Sequence, residues 1–293
     1  MKHKKYLVWM TPSVITGAII MIIFALFSFF PQWIAPYSPK DMFEPWAPMS
    51  AAHWLGTNDM GYDILSELIY AASTTMLVGI TAAFISLAVG VLVGIAAGYF
   101  QGWLGEVING FINIFLLIPM LPMTIILAAY LGAGVQNVIL SISLLGWCST
   151  ARAVRAKTKQ VKYAPFIESL QTLGVPKWRI MLKHILPNVS DVIWAKYILS
   201  VGQCMLTEAS VSFMGLGDTT HVTWGGMINF AFKRGGFSRG ILNWYLPPGI
   251  CILLCVMAFY LLNRFFERRA DMVDCFAQSY MAVSYTHLIL KPY

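Results

Sequence analysis

The 293-residue sequence predicts an all-α polytopic membrane protein with six transmembrane helices and a polar cytosolic loop. Composition comes first: 58% of residues are hydrophobic and 11% charged, with mean hydropathy +0.68, whereas charged residues make up about a quarter of a soluble globule. Second, apolar runs of roughly 20 residues recur, the length that crosses a hydrocarbon core. Third, sorting Lys and Arg by alternate loops puts 16 of the 20 on one side. These are Lys2, Lys4 and Lys5, nine residues from Arg152 to Lys196, and Arg264, Arg268, Arg269 and Lys291. Lys40, Lys233, Arg234 and Arg239 fall on the other. This positive-inside asymmetry places both termini and the 156–192 loop in the cytosol of a cytoplasmic membrane. It also accounts for the net charge of +7 without nucleic acid.

Residues 1–30 comprise the N-terminal tail and a first span, about 11–30. Phe30-Pro31-Gln32-Trp33 offers no small-residue cleavage site, so this span reads as retained rather than as a secretory signal. Residues 31–74 form an external loop broken by Pro31, Pro36, Pro39, Pro45 and Pro48. His53 stands near Asp59 and Asp63 without metal-ligand spacing, and no metal site is expected. The five cysteines avoid the external loops, so no disulfide framework follows. Cys251 and Cys255 share a helix face and read as small packing residues.

Residues 75–275 form the core, with spans at about 75–98, 108–131, 137–155, 193–214 and 246–264. Gly90, Gly94 and Gly98 lie four apart on one face of the second span and predict a close helix–helix seam. Pro119 and Pro122 kink the third span, freeing carbonyls in a way that suits a helix lining a pathway. Arg152 and Arg155 end the fourth span, where their charged heads reach the cytosolic face. Glu208, with Ser212 a turn later, is the clearest ionisable residue inside a span. It either faces a wet pathway or is a buried carboxyl hydrogen-bonded to Ser and Thr neighbours.

The polar, basic stretch Tyr163–Val189 interrupts these apolar runs. Pro165 fits a first helical position, and Glu168 falls in the first turn, at the positive end of the helix dipole. Gly174 closes the helix as a left-handed cap, with Pro176 forbidding continuation. Phe166, Ile167, Leu170 and Leu173 line one face, which needs a partner. A second helix through Trp178, Met181 and Ile185 is expected to stop at Pro187.

Glu168, Gly174 and Lys183-His184-Ile185-Leu186-Pro187-Asn188 resemble the EAA loop of ABC importer permeases, in particular the peptide and nickel branch and its second, C-type chain. Further segments agree. His53-Trp54-Leu55-Gly56-Thr57-Asn58-Asp59 with Gly61-Tyr62-Asp63 is similar to the family's HxLGTDxxGRD, although Tyr62, Glu67 and Ser73 replace its usual arginines. Gly98 to Leu104 resembles AGYFGGWLD, and Glu208 to Gly217 resembles EASLSFLGLG, with Trp224-Gly225 and Met227 following outside. The resemblance covers about residues 53–275. It implies a pore-forming, non-enzymatic subunit whose coupling helix (Phe166, Ile167, Glu168, Leu170, Leu173, Gly174 and Pro187) sits in a groove of a cytosolic ATPase. It further implies a homologous second permease chain, two ATPase subunits carrying ATP and Mg, an external solute-binding protein and alternating access. The solutes would be peptides or similar small molecules, nickel included.

No phosphate-binding loop G-x-x-x-x-G-K-[ST] is present, and no H-E-x-x-H or G-x-S-x-G, so neither cofactor nor catalytic residue is expected on this chain. The alternative, a secondary transporter driven by an ion gradient, calls for coupling-ion sites at interrupted helices, often within inverted repeats, and no such repeat is visible. Residues 281–293 fit none of these patterns and read as a non-native tail.

Overall fold

Two long helices packed through glycine form the spine of the molecule. α2 (Ile64–Tyr99) and α5 (Val135–Lys162) run together along most of their length. A β-carbon built on Gly90, Gly94 or Gly98 would lie 2.7–2.8 Å from the carbonyl oxygens of Trp147, Ala151 and Arg155 respectively. Both sets of residues advance by four, so one ridge of α5 follows one groove of α2. In this computed structural model the described residues are 11–289 apart from Thr219, with side chains to Phe266. Among them the chain is helical, with one isolated bridge between Thr57 and Asp63 and no strand.

α1 (Pro12–Phe29) packs on α2 and on α9 (Leu242–Ile289), and turns Ile15, Ile19, Ile22 and Leu26 outward. The third span is not one kinked helix. It is two, α3 (Trp103–Leu117) and α4 (Met120–Leu131), bent by 84°. Pro119 explains the break, because the residue before proline is driven out of the helical region, and Ile118 is extended at φ −69°, ψ 124°. Pro122 lies within the first turn of α4, where its missing N–H costs nothing.

Among the described residues four helices are long and apolar enough to cross a membrane: α1, α2, α5 and Leu242–Phe266 of α9. The bent α3–α4 pair makes a fifth if it is one broken span. The expected span at 193–214 is a helix, α7 (Ser190–Phe213), but it is not among these. Lys196, Gln203 and Glu208 lower its hydropathy, and neighbours α2, α5 and α9 cover much of it.

Other boundaries also move. α2 begins at Ile64, well before residue 75, because the Asp63 carboxylate accepts the Ser66 N–H at 2.9 Å and caps it. At 36 residues α2 is about 54 Å long, so one end overhangs a hydrocarbon core roughly 30 Å thick. Residues 224–233, expected to be external chain, form α8 (Trp224–Lys233), whose Trp224, Met227 and Ala231 are buried. The Trp224 indole N–H donates to the Leu68 carbonyl at 3.0 Å, and its ring meets Phe24 edge-on. Pro247 and Pro248 lie inside the first turns of α9. The 281–293 segment falls where no side chain is described, and 290–293 lie outside the described residues altogether.

The 37–63 loop is folded down over the start of α2. His53 pairs with Asp63 at 3.0 Å, between the rings of Tyr37 and Phe43. His53 therefore supports the Asp63 cap, and no group of three metal-ligating side chains occurs among the described residues. Arg234, just past α8, reaches Asp59 at 3.4 Å and ties this loop to α8.

Candidate functional site

α6 (Pro165–Thr172) stands beyond the end of α5 with Pro165 at its first position and Glu168 in its first turn. Its far end is a Schellman closure. Gly174 is left-handed at φ +73°, its N–H donates to Gln171 O at 3.0 Å, and the Val175 N–H donates to Leu170 O at 3.1 Å. A β-carbon on Gly174 would meet nothing within 4 Å, so the need for glycine there is conformational alone.

The apolar face of α6 divides in two. Ile167 is 0% exposed and packs with Ile95, Tyr99, Val154, Ile180, Ile185 and Val189, with half-buried Leu170 at the edge of that cluster. Phe166 is exposed and Leu173 is 78% exposed. Ile167 and Leu170 therefore pack against their own chain, and Phe166 and Leu173 face outward. Spacing could not separate them, because four apolar residues within two turns make one stripe whichever body covers it.

After the corner, the second helix does not stop at Pro187. A turn over Lys177–Arg179 passes into a π-helical stretch, Ile180–Ile185, and Pro187 sits in a fresh turn, Leu186–Asn188, that leads into α7. The wider π winding brings Ile180 and Ile185, five apart, to the same buried cluster. Trp178 and Leu182 of this stretch are exposed as well. Lys162, at the end of α5, donates to the Tyr99 carbonyl at 2.7 Å, and Gln101 donates to the Tyr163 hydroxyl at 3.0 Å. These bonds tie the loop to the end of α2 around a cleft of about 430 Å³.

The residues expected along a pathway do not gather in one place. Glu208 is 1% exposed, and one carboxylate oxygen accepts the Ser212 hydroxyl at 2.6 Å. Its other oxygen has no partner among the described residues. Of the two readings of Glu208, this burial and pairing favour the structural one. Pro119 and Pro122 lie instead at the α3–α4 bend.

Residues 90–272 match the family described as binding-protein-dependent transport system inner membrane component. The chain is also 32% identical over 256 residues to the glutathione transport system permease protein GsiD of Escherichia coli O6:K15:H31 (strain 536 / UPEC), covering 85% of this chain and 82% of that one. The GsiD proteins of Shigella boydii serotype 4 (strain Sb227) and Shigella dysenteriae serotype 1 (strain Sd197) match at the same identity and coverage. The chain belongs to the ABC importer permeases of the peptide family. It is a membrane component of an importer and not an enzyme, and its family works with ATPase and solute-binding partners.

One feature of this permease escaped the reading of the sequence. Between α2, α4, α5, α7 and α9 lies a cavity of about 200 Å³, lined on α7 by Lys196, Ser200 and Gln203 and elsewhere by Ser86, Ser149 and Tyr260. The signal was present: three polar residues at i, i+4 and i+7 within an otherwise apolar run.

Proposed function

We propose that this permease carries a small peptide of the glutathione class across a bacterial or archaeal cytoplasmic membrane by alternating access. It works beside a homologous second permease chain, below an external solute-binding protein and above two ATPase subunits that hold ATP and Mg. The solute class is supported by the relatives, whose name specifies glutathione transport. Six crossings with both termini cytosolic agree with the charge asymmetry. In this reading α7 is the fifth crossing in chain order and brings the total to six, and the outward apolar residues of α1 meet lipid. Residues 31–74 and α8 face outside.

In this account α6 is the coupling helix. The observation that carries it is the divided face: Ile167 locks α6 onto the bundle, while Phe166 and Leu173 stay uncovered at its outer side. A lever needs both properties, a rigid root and a free apolar surface. ATP-driven approach of the ATPases then moves α6, and through Ile167 the ends of α2 and α5. Substituting Gly174 by a residue bearing a β-carbon costs roughly 1–2 kcal/mol of backbone strain and re-aims this corner. Gly174→Asp should therefore insert and accumulate, yet lose both ATPase co-purification and ATP-dependent uptake. Normal co-purification with normal uptake would refute the coupling role.

A further inference from the structure

Lys196, Ser200 and Gln203 form a polar stripe on α7, and with Ser149 of α5 and Tyr260 of α9 they line the cavity of about 200 Å³. None of these five side chains has a hydrogen-bond or ion-pair partner among the described residues. No carboxylate lines the cavity. Lys196 lies in the second turn of α7 and is half-buried, so its stem packs within the bundle while its ammonium reaches a space where water or a solute can meet it. A protonated lysine offers three donors and no acceptor, and the serine, glutamine and tyrosine groups can add further donors. The α3–α4 bend opens onto the same space, since Met120 is part of the lining.

We propose that Lys196, assisted by Ser149, Ser200, Gln203 and Tyr260, forms a subsite that receives a carboxylate group of the transported solute. This rests on the permease pathway reading above and adds the group that handles the charge. The volume is smaller than the roughly 300–1,000 Å³ of a pocket enclosing a whole ligand, so it suits one end of a small peptide. A charge-assisted hydrogen bond to a carboxylate is about twice as strong as a neutral one, and an unpaired lysine provides it without first breaking an internal ion pair.

The test uses the importer assembled with its partner subunits in inside-out vesicles. Ser200→Cys and Gln203→Cys are introduced separately into a background freed of native cysteines, Cys204 included, and treated with anionic and cationic methanethiosulfonate reagents. The anionic reagent should gain about tenfold in relative rate, the effect of one nearby unpaired charge in a partly wet site. Adding Lys196→Met should remove that preference, and Lys196→Arg should keep it. Absence of labelling in the assembled importer, as when the second permease chain covers this face, overturns the subsite. So does a preference that survives Lys196→Met. Uptake is the second arm: a tripeptide should lose about tenfold relative to its C-terminal amide in Lys196→Met, as expected for one charged hydrogen bond, and recover in Lys196→Arg. An unchanged ratio again overturns the subsite. If the unmodified importer takes up neither peptide, the assigned solute class fails, and the labelling result still decides the subsite.

Discussion

Gly94 on α2 lies so close to Ala151 on α5 that a β-carbon on the glycine would stand 2.7 Å from the alanine carbonyl oxygen. The same added atom would lie 2.9 Å from the β-carbon of Val154. Backbone on one side and a branched side chain on the other leave no route for relaxation. Gly94→Val should therefore cost at least about 1–3 kcal/mol through overpacking, and a seam with little freedom to shift favours the upper end. Gly110, on α3, has nothing within 4 Å of its would-be β-carbon, so Gly110→Ala is the matched control. Thermal unfolding in detergent should show a lower midpoint for the Gly94 variant and a normal one for Gly110→Ala. Equal midpoints would mean that the seam is not formed.

Asp218 fastens the α7–α8 loop to the start of α5. One carboxylate oxygen accepts the Val135 N–H at 3.0 Å, and the other accepts the backbone N–H groups of Thr220 and His221. Burial pushes the Asp218 carboxyl up, but the hydrogen bonds from Thr220 and His221 outweigh it and hold the group well below the usual carboxylate range. A depressed folded value means that the stabilisation is complete above the ordinary carboxylate range and is lost as pH falls through the folded value. Asp218→Asn should be less stable than the parent above the ordinary carboxylate range, and the two should converge only in strong acid. A margin that closes near neutrality would contradict this.

Glu208 illustrates what burial adds to a sequence reading. The Ser212 hydroxyl donates to it at 2.6 Å inside the bundle, so Glu208→Ala strands a buried donor at a cost of about 1–3 kcal/mol. Membrane accumulation should fall, and uptake per surviving molecule should stay close to normal. Full accumulation with abolished uptake would return Glu208 to the pathway.

Backbone chemistry was the legible part of the sequence. Gly174 followed by Pro176 dictates a left-handed corner, and Gly90, Gly94 and Gly98 dictate a close seam; both are present. These residues carry their meaning alone, through a missing β-carbon or a fixed φ. What periodicity cannot reveal is which body covers an apolar face. Phe166, Ile167, Leu170 and Leu173 form one stripe by spacing, yet Ile167 turns to its own chain and Leu173 away from it. Hydropathy fails in the complementary way. α7 is too polar to pass as lipid-facing because other helices cover much of it, and α8 is short but buried through Trp224. The start of α2 at Ile64 depended on the Asp63 cap, hidden in a loop dense with prolines.

The coupling role of α6 depends on which of its residues meet the ATPase, and site-directed cross-linking reads that contact directly. Cysteines are placed singly at Leu173 and Ile167 in a cysteine-free permease, with a bifunctional thiol reagent and cysteines along the ATPase surface in the assembled importer. Leu173→Cys should cross-link to the ATPase, with a yield that changes when ATP is added. Ile167→Cys should give no cross-link to the ATPase. A cross-link from position 167 with none from 173, or none from either while the ATPase remains bound, would contradict the coupling role of α6.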